Sequence, residues 1–227
     1  MPSNTVLDTL KEAHRNPTDW LIFREDCIQE GASNVPDTTA WEVVKDASAA
    51  TIIEADQAGG AMKLTSAATT DNDGNLVQSL NEFWKPTAGK RFALRLQWKS
   101  ADADQQDVFV GMAQRGATDP EATLAVSNRV GFQVNDGDAS ILCKCEAADL
   151  ETSVDSQVDL ADNTYKTLGI FYDGSGRMFY EINDEGVAMI TTNIPETELL
   201  IAIFQLSGNN SGTHSGNARR IQCAVEL

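Results

Sequence analysis

Residues 166–192 read Lys-Thr-Leu-Gly-Ile-Phe-Tyr-Asp-Gly-Ser-Gly-Arg-Met-Phe-Tyr-Glu-Ile-Asn-Asp-Glu-Gly-Val-Ala-Met-Ile-Thr-Thr. Large apolar side chains recur at every second position in two runs, at Leu168, Ile170 and Tyr172 and again at Met178, Tyr180 and Ile182. The breaks at 173–176 and 183–186 carry Asp, Asn, Ser and Gly, which tolerate positive φ or bond their own backbone. A period of two with short Gly-containing breaks predicts three antiparallel strands joined by hairpins.

Short segments with a strand-like pattern continue outward from this stretch. They are residues 19–28, 40–44, 51–54, 61–65, 76–80, 91–99, 107–113, 129–135, 139–145 and 221–227. Segments 114–128, 146–163 and 205–219 are predicted to be irregular, and the last of these is rich in Gly, Ser and Asn. About a dozen short strands with no helical stretch between them favour an all-β sandwich or barrel.

The N-terminal residues differ from the rest of the chain. Val6, Leu7, Leu10 and Ala13 approximate a helical stripe, which Asn16-Pro17 would end. We therefore predict a short helical arm at 1–18 before a β-sandwich at 19–227. The helix could contact a neighbouring molecule or pack against its own sandwich, and the sequence leaves both open.

Charge and cysteine usage narrow the classes of partner. The chain has 34 Asp plus Glu against 17 Lys plus Arg, for a net charge of -17. An acidic surface repels phosphate backbones, so we expect no nucleic-acid partner. The start of the chain lacks a signal-peptide pattern and no apolar run is long enough to span a membrane, so no membrane partner is expected. The four cysteines (Cys27, Cys143, Cys145 and Cys223) are then expected to be free thiols, and mostly buried.

Several of these segments resemble a known class of fold. The stretches 131–137 (Gly-Phe-Gln-Val-Asn-Asp-Gly), 165–174 and 178–183 are similar to laminin-G and concanavalin A-like jelly rolls. The stretches 69–75 and 108–112 resemble small jelly-roll proteins from the structural modules of tailed-phage genomes, some of which are capsid decoration (cement) proteins. The resemblance implies an antiparallel two-sheet jelly-roll sandwich, while fold alone does not give function.

Catalytic motifs are absent from the sequence. Retaining glycosidases need two carboxylates about 5 Å apart, which jelly-roll glucanases place on one strand as Glu-x-Asp-x-x-Glu or Glu-x-Asp-x-Glu. Neither string occurs: Glu54-Ala-Asp56 lacks a third acid and Glu146-Ala-Ala-Asp149 has the wrong spacing. Nucleophile-elbow, phosphate-loop and His-Glu-x-x-His strings are also missing, and only two histidines are available. We therefore predict that the protein is not an enzyme.

Calcium is the one metal that the sequence suggests. Asp71, Asp73 and Asn75 place oxygen donors close together in Asp71-Asn72-Asp73-Gly74-Asn75. The Gly position and the lack of flanking helices exclude an EF-hand, although jelly rolls can bind calcium through loop Asp and Asn residues. The alternative is a polar turn whose side chains bond local amides. No other cofactor is expected.

Sugar binding requires exposed aromatic rings. Trp84 is the best candidate because it sits at a strand end beside Pro86, whereas Trp20, Trp41 and Trp98 lie in apolar or alternating runs and are predicted to be core. A packed loop anchor explains Trp84 equally well.

The leading functional prediction is a non-enzymatic virion protein that decorates a phage capsid. Its partner would be the major capsid protein, its state a homotrimer, and its location the capsid surface after assembly in the host cytoplasm. The predicted contacts are Val6, Leu7 and Leu10 in the arm and Asn209, Asn210 and His214 in the last loop. The alternative is a lectin-like carbohydrate-binding module whose ligand is a glycan.

Overall fold

The computed structural model describes residues 5–26, 36–45, 49–54, 60–66, 74–82, 84–115, 127–207 and 213–227. In chain order the elements are α1 (Val6–Arg15), a 3₁₀ turn (Pro17–Asp19), β1 (Trp20–Glu25), β2 (Trp41–Lys45), β3 (Ala50–Glu54), β4 (Ala61–Thr65), β5 (Gly74–Ser79), β6 (Phe92–Ser100), β7 (Gln106–Ala113), β8 (Asn128–Asn135), β9 (Asp138–Ala147), β10 (Leu150–Asp159), β11 (Lys166–Tyr172), β12 (Met178–Ile182), β13 (Glu185–Ile190), β14 (Leu200–Ser207) and β15 (Ser215–Glu226).

The strands form two antiparallel sheets that stack into a sandwich. The eight-stranded sheet has the order β13-β12-β11-β6-β15-β4-β3, with β1 pairing with another part of β15. The seven-stranded sheet has the order β10-β9-β8-β7-β14-β5-β2. One large hydrophobic core contains inward-facing side chains of both sheets. The predicted all-β jelly-roll sandwich is confirmed.

The predicted meander at 166–192 is present as β11, β12 and β13. Leu168, Ile170 and Tyr172 are buried in the core, as their alternation requires. The β12–β13 hairpin turns at Asn183 and Asp184, whose φ angles are 54° and 66°. Two successive positive φ values are typical of the turn whose twist matches the strands it joins.

Two predicted loops contain strands. Segment 146–163 holds β10, and segment 205–219 includes the end of β14 and the beginning of β15. Strand β10 is the edge of the seven-stranded sheet and is mostly exposed or half-buried, so polar residues occupy positions that are apolar in central strands. Its sequence therefore lacks the hydrophobic alternation that would have identified it.

Helix α1 packs against the outer face of its own eight-stranded sheet. Val6 and Leu10 are 0% and 3% exposed and pack with Phe171 and Ala93 of that sheet. Gly169 makes room for the helix, since a Cβ there would lie 3.0 Å from Cγ2 of Val6. Of the two arrangements that the sequence left open, this is the one in which the helix covers its own sandwich, so Val6 and Leu10 are not available to a partner in this structure.

The helices within the described residues are too short and too polar to cross a membrane.

Candidate functional site

The outer face of the seven-stranded sheet carries a group of buried polar side chains. In the central strand β8, Val130, Phe132 and Val134 point into the core, so the alternate residues Arg129, Gly131 and Gln133 face outward. The register extends this face sideways: Arg129 lies opposite Glu146 in β9, which lies opposite Glu151 in β10. We call this surface the β8 face.

An ion-pair network joins three strands on the β8 face. The Nε atom of Arg129 donates to Glu146 at 2.7 Å, and its Nη2 lies 3.4 Å from Oε2 of Glu151. Lys144 donates from Nζ to the same Glu151 oxygen at 2.9 Å. Both cations are buried, with side chains 7% and 9% exposed. Because removing such charges from water is costly, a buried network is weak support for a purely stabilising role.

Two buried polar atoms on this face have no hydrogen-bond partner among the described residues. They are Nη1 of Arg129, a residue that is 6% exposed, and Oε1 of Gln133, a residue that is 8% exposed. The other amide atom of Gln133 donates to Asn135 at 2.6 Å, so the side chain is held in place. An unsatisfied buried donor or acceptor costs about 1–3 kcal/mol. The face therefore offers one donor and one acceptor that a polar ligand would satisfy.

The centre of the β8 face is built from small residues beneath one aromatic ring. Gly131 lies opposite Gly111 in β7, which lies opposite Ala202 in β14. The ring of Phe109 occupies the space beside Gly131, where an added Cβ would be 2.6 Å from the ring. The guanidinium carbon of Arg129 is 5.9 Å from the centroid of the same ring. The ring itself is 1% exposed, so it packs against Arg129 and Gly131 and holds the face together, while the polar groups beside it are the ones that a ligand could contact.

A second group of polar side chains lies towards the opposite edge of the seven-stranded sheet, at β5 and β2. Gln78 in β5 donates to Glu42 in β2 at 2.9 Å, and Arg115 donates to the same Glu42 oxygen at 2.5 Å. Arg115 follows β7 and also bonds the carbonyl of Leu80. Polar groups therefore lie on both sides of the small central residues.

The carboxylates of the β8 face are arranged across strands. The outward-facing positions 129, 131 and 133 of β8 carry Arg, Gly and Gln, so this strand does not present a Glu-x-Asp-x-Glu series of acids. Glu146 and Glu151 are directly opposite each other in antiparallel strands, which places Cβ atoms about 5 Å apart. Both accept from Arg129, and Glu151 also accepts from Lys144.

The predicted calcium ligands lie mostly beyond the described chain. Asp71 and Asp73 are outside the described residues. Asn75 is fully buried in β5 and donates to the carbonyl of Thr65 at 2.8 Å. Within the described ranges, no group of three or more His, Cys, Asp or Glu residues is arranged to hold a metal ion.

The predicted loop contacts divide in the same way. Asn209 and Asn210 lie outside the described residues. His214 is 7% exposed, and its backbone amide donates to the Ser66 hydroxyl at 3.1 Å. Leu7 on the helix is half-buried.

The predicted sugar-stacking residue is part of the core. Trp84 is 2% exposed and stacks on Phe92, with ring centroids 4.0 Å apart. Its ring also packs edge-on against Tyr172. Trp84 is therefore the packed anchor that the sequence left as the alternative. The core prediction is confirmed for the other three tryptophans, Trp20, Trp41 and Trp98.

The described cysteines are free and buried. Cys143 and Cys145 point into the core from alternate positions of β9, and Cys223 is buried in β15. Burial raises the pKa of Cys143 and of Cys145 to about 12, and it also raises the pKa of Cys223 well above the usual value of a thiol. These thiols are consequently structural and poor nucleophiles.

Sequence reasoning did not single out the residues of the β8 face as a site. The signal was present in β8 as polar residues at 129 and 133 alternating with the apolar residues of the core. Without the β9–β10 pairing, however, Glu151 could not be placed next to Glu146. The residues meet because neighbouring strands bring them together.

The fold is shared with solved carbohydrate-active enzymes. Similar structures include an endo-1,3-beta-glucanase from Streptomyces sioyaensis, with a TM-score of 0.69 and 10% identity over 92% of this chain and 98% of that chain. A Bacillus licheniformis beta-glucanase gives 0.62 and 14% over 88% and 100%, respectively. A glycoside hydrolase family 16 endo-glucanase from Bacteroides ovatus gives 0.64 and 9% over 89% and 99%. No family model and no curated protein matches the chain.

These likenesses correct two predictions. The prediction of a non-enzymatic capsid decoration protein is wrong, because the structures named above, which share the fold over nearly the whole chain, are glucanases. The concanavalin A-like part of the resemblance is confirmed, whereas the phage part finds no support. Because the sequence identities are this low, the structural likeness establishes only that this chain has the jelly-roll fold of the β-glucanases.

Proposed function

We propose that the protein binds a glycan on the β8 face. The observation that carries the proposal is the pair of buried atoms, Nη1 of Arg129 and Oε1 of Gln133, that have no hydrogen-bond partner among the described residues. A sugar hydroxyl both donates and accepts, so the hydroxyl groups of a glycan could satisfy both atoms. The fold shared with β-glucanases supports a carbohydrate ligand.

The test removes one of these atoms without creating a cavity. Gln133→Met keeps the length of the side chain and deletes both the unpartnered acceptor and the hydrogen bond to Asn135. The gain from the first and the loss from the second offset each other, so the stability of the folded protein should stay close to that of the wild type. Binding to soluble β-glucans, measured by calorimetry and affinity electrophoresis, should fall by about tenfold for one lost hydrogen bond. Gln222→Met makes the same change on the outer side of the other sheet and should leave binding intact. Equal binding by both variants would contradict the proposed face.

A second candidate function is glycan cleavage on the same face. The observation that favours it is the opposition of Glu146 and Glu151 across β9 and β10, because a retaining hydrolase needs two carboxyl groups about 5 Å apart. In this structure both carboxylates accept from Arg129, so catalysis would require one of them to exchange that contact for the glycan.

Cleavage is tested by the release of reducing ends from the glucans that the protein binds. Glu146→Gln and Glu151→Gln should each abolish release while leaving a bound complex detectable. Glu42→Gln, which changes an acid at the far side of the sheet, should retain activity. Release that persists in both E146Q and E151Q would exclude this carboxylate pair.

A further inference from the structure

We propose that the outer face of the eight-stranded sheet carries a second, separate binding surface, for a polysaccharide bearing sulfate or carboxylate groups. The surface is formed by Lys63, Lys99, Arg219 and Arg220, which we call the basic patch. It lies on the opposite side of the sandwich from the β8 face and does not depend on the function proposed there.

The register brings the patch residues together on one face. Lys63 in β4 lies opposite Asn217 in β15, which lies opposite Lys99 in β6. Arg219 is two residues further along β15, beside Gln97. The intervening residues of these strands, Met62, Leu64, Leu96, Trp98 and Ala218, belong to the core, so the patch residues on these strands point outward. Helix α1 covers the region around Phe171 and Ala93, and the patch lies beyond it.

The positive charge on this surface is held in an ordered arrangement. The guanidinium carbon of Arg219 lies 3.6 Å from the centroid of the Tyr165 ring, and the Lys99 ammonium lies 5.3 Å from the same centroid. Arg219 also donates from Nε to Oε1 of Gln97 at 2.9 Å. Stacking and this single bond fix the guanidinium while leaving its remaining N–H groups to a ligand.

Lys99 and Arg219 are not neutralised within the part of the chain that the structure describes. Neither forms an ion pair with a described carboxylate, in contrast to Arg95 on the same face, which binds Asp184 at 3.0 Å. In a chain with a net charge of -17, two adjacent cations that have no acidic partner among the described residues form a local surface of the opposite sign. That surface is complementary to an anionic group.

The backbone at the patch is irregular in a way that presents both arginines. The β15–β6 register shifts between Arg219 and Gln222, and Arg220 has a φ of 52°. A β-bulge redirects side chains, and positive φ is uncommon for a long side chain. As a result Arg220 is exposed next to Arg219 instead of pointing into the core. Such outliers cluster at binding sites.

Charge and shape together select the partner. A membrane or a nucleic-acid duplex is a broad negative surface that would also face the acidic remainder of this protein. A single polysaccharide chain is narrow and can contact the patch alone. The amide and hydroxyl groups of Gln97, Asn217 and Thr167 beside the cations suit sugar hydroxyls as well as anionic substituents.

The experiment compares dextran sulfate with uncharged dextran as probes of the purified full chain. The wild type should bind dextran sulfate at low salt concentration and release it as the salt concentration is raised. It should not bind uncharged dextran at this face. The K99Q/R219Q double variant should raise the Kd for dextran sulfate by about tenfold, the loss expected for two surface charge contacts. K45Q removes an exposed lysine at the end of β2 and should change nothing.

A second variant guards against a folding defect. K63Q/R220Q leaves the Tyr165 stack intact and should also weaken binding, with thermal melting of both double variants matching the wild type. Three results would overturn the proposal: no binding of dextran sulfate by the wild type, equal weakening in K45Q, or equally tight binding of a short DNA duplex. Unchanged affinity in both double variants would overturn it as well.

Discussion

The ring of Phe109 fills the space that a side chain at Gly131 would occupy in the next strand. A Cβ on Gly131 would lie 2.6 Å from both Cε2 and Cζ of the ring. The guanidinium carbon of Arg129 lies 5.9 Å from the centroid of the same ring. The geometry of the β8 face depends on this glycine.

Gly131→Ala should destabilise the protein and weaken glycan binding. The added methyl must push the buried Phe109 ring aside and would also lie 2.7 Å from the carbonyl oxygen of Val110, and overpacking of this kind costs about 1–3 kcal/mol. Urea unfolding at constant m-value measures the change in the free energy of unfolding. Gly186→Ala is the matched control, because a Cβ at Gly186 meets nothing within 4 Å, and it should be close to neutral. Equal effects of the two substitutions would show that the ring moves without cost.

Buried and exposed ion pairs should respond differently to loss of one charge. Glu146→Gln removes a carboxylate that neutralises the guanidinium of Arg129, whose side chain is 7% exposed. We expect the free energy of unfolding to fall by about 3 kcal/mol. Glu42→Gln breaks a pair with Arg115 in which both side chains are about 40% exposed, and should cost less than about 1 kcal/mol. Urea unfolding of the two variants in parallel distinguishes these values. A cost for E146Q no larger than that for E42Q would show that the network is effectively solvated.

The sheet architecture could be predicted wherever strands bury one side. Strands such as β6, with Phe92, Leu94, Leu96 and Trp98 inward, show the alternation that the core imposes. Edge strand β10 could not be recognised, since little of it is buried and its polar sequence resembles a loop. The alternating hydrophobic pattern in the sequence therefore comes from the burial of one side of a strand and not from strand formation itself.

The candidate site was less accessible to sequence reasoning because its residues belong to separate strands. Arg129, Glu146 and Glu151 become neighbours through register, which a single sequence does not specify. Trp84 illustrates the opposite error, since its position beside Pro86 suggested exposure but its ring packs on Phe92. Composition at a strand end does not reveal whether a ring points inward.

Trp84 should contribute stability and leave glycan recognition unaffected. Trp84→Ala removes a ring stacked on Phe92 and should cost about 3–5 kcal/mol, while Trp84→Phe keeps an aromatic ring and should cost less. The binding constant of the W84F variant for β-glucans should equal that of the wild type when measured by calorimetry. A large loss of affinity in a well-folded W84F variant would show that this residue takes part in glycan binding.

The three described cysteines should be unreactive in the native state. Burial raises the pKa of Cys143 and Cys145 to about 12, so the thiolate needed for disulfide exchange is scarce at neutral pH. In a Cys27→Ser background, which removes the one cysteine outside the described residues, Ellman's reagent should label none of the three until urea unfolds the protein. Rapid labelling of the native protein would mean that the core around β9 opens locally.

Arg91 ties helix α1 to the last strand. Its guanidinium makes two hydrogen bonds to Glu12 of the helix, both at 2.8 Å, and also binds Glu226 at the end of β15. These hydrogen bonds lower the pKa of both carboxyl groups. The nearby Glu181 behaves in the opposite way, because its burial raises its pKa although it accepts from the Val6 amide.

Helix docking should therefore weaken in acid. A carboxyl group whose pKa is lowered by folding stabilises the protein above its unfolded pKa, and this contribution is lost as the pH falls from about 4.5 through the folded value. The raised pKa of Glu181 contributes with the opposite sign, losing stability as the pH rises above 4.5. Glu226→Gln removes one lowered group, so its free energy of unfolding should depend less steeply on pH below 4.5 than that of the wild type. Thermal melts from pH 3 to pH 7, read by the tryptophan fluorescence of the protein, provide the comparison. Parallel pH profiles would show that this ion pair does not control acid stability.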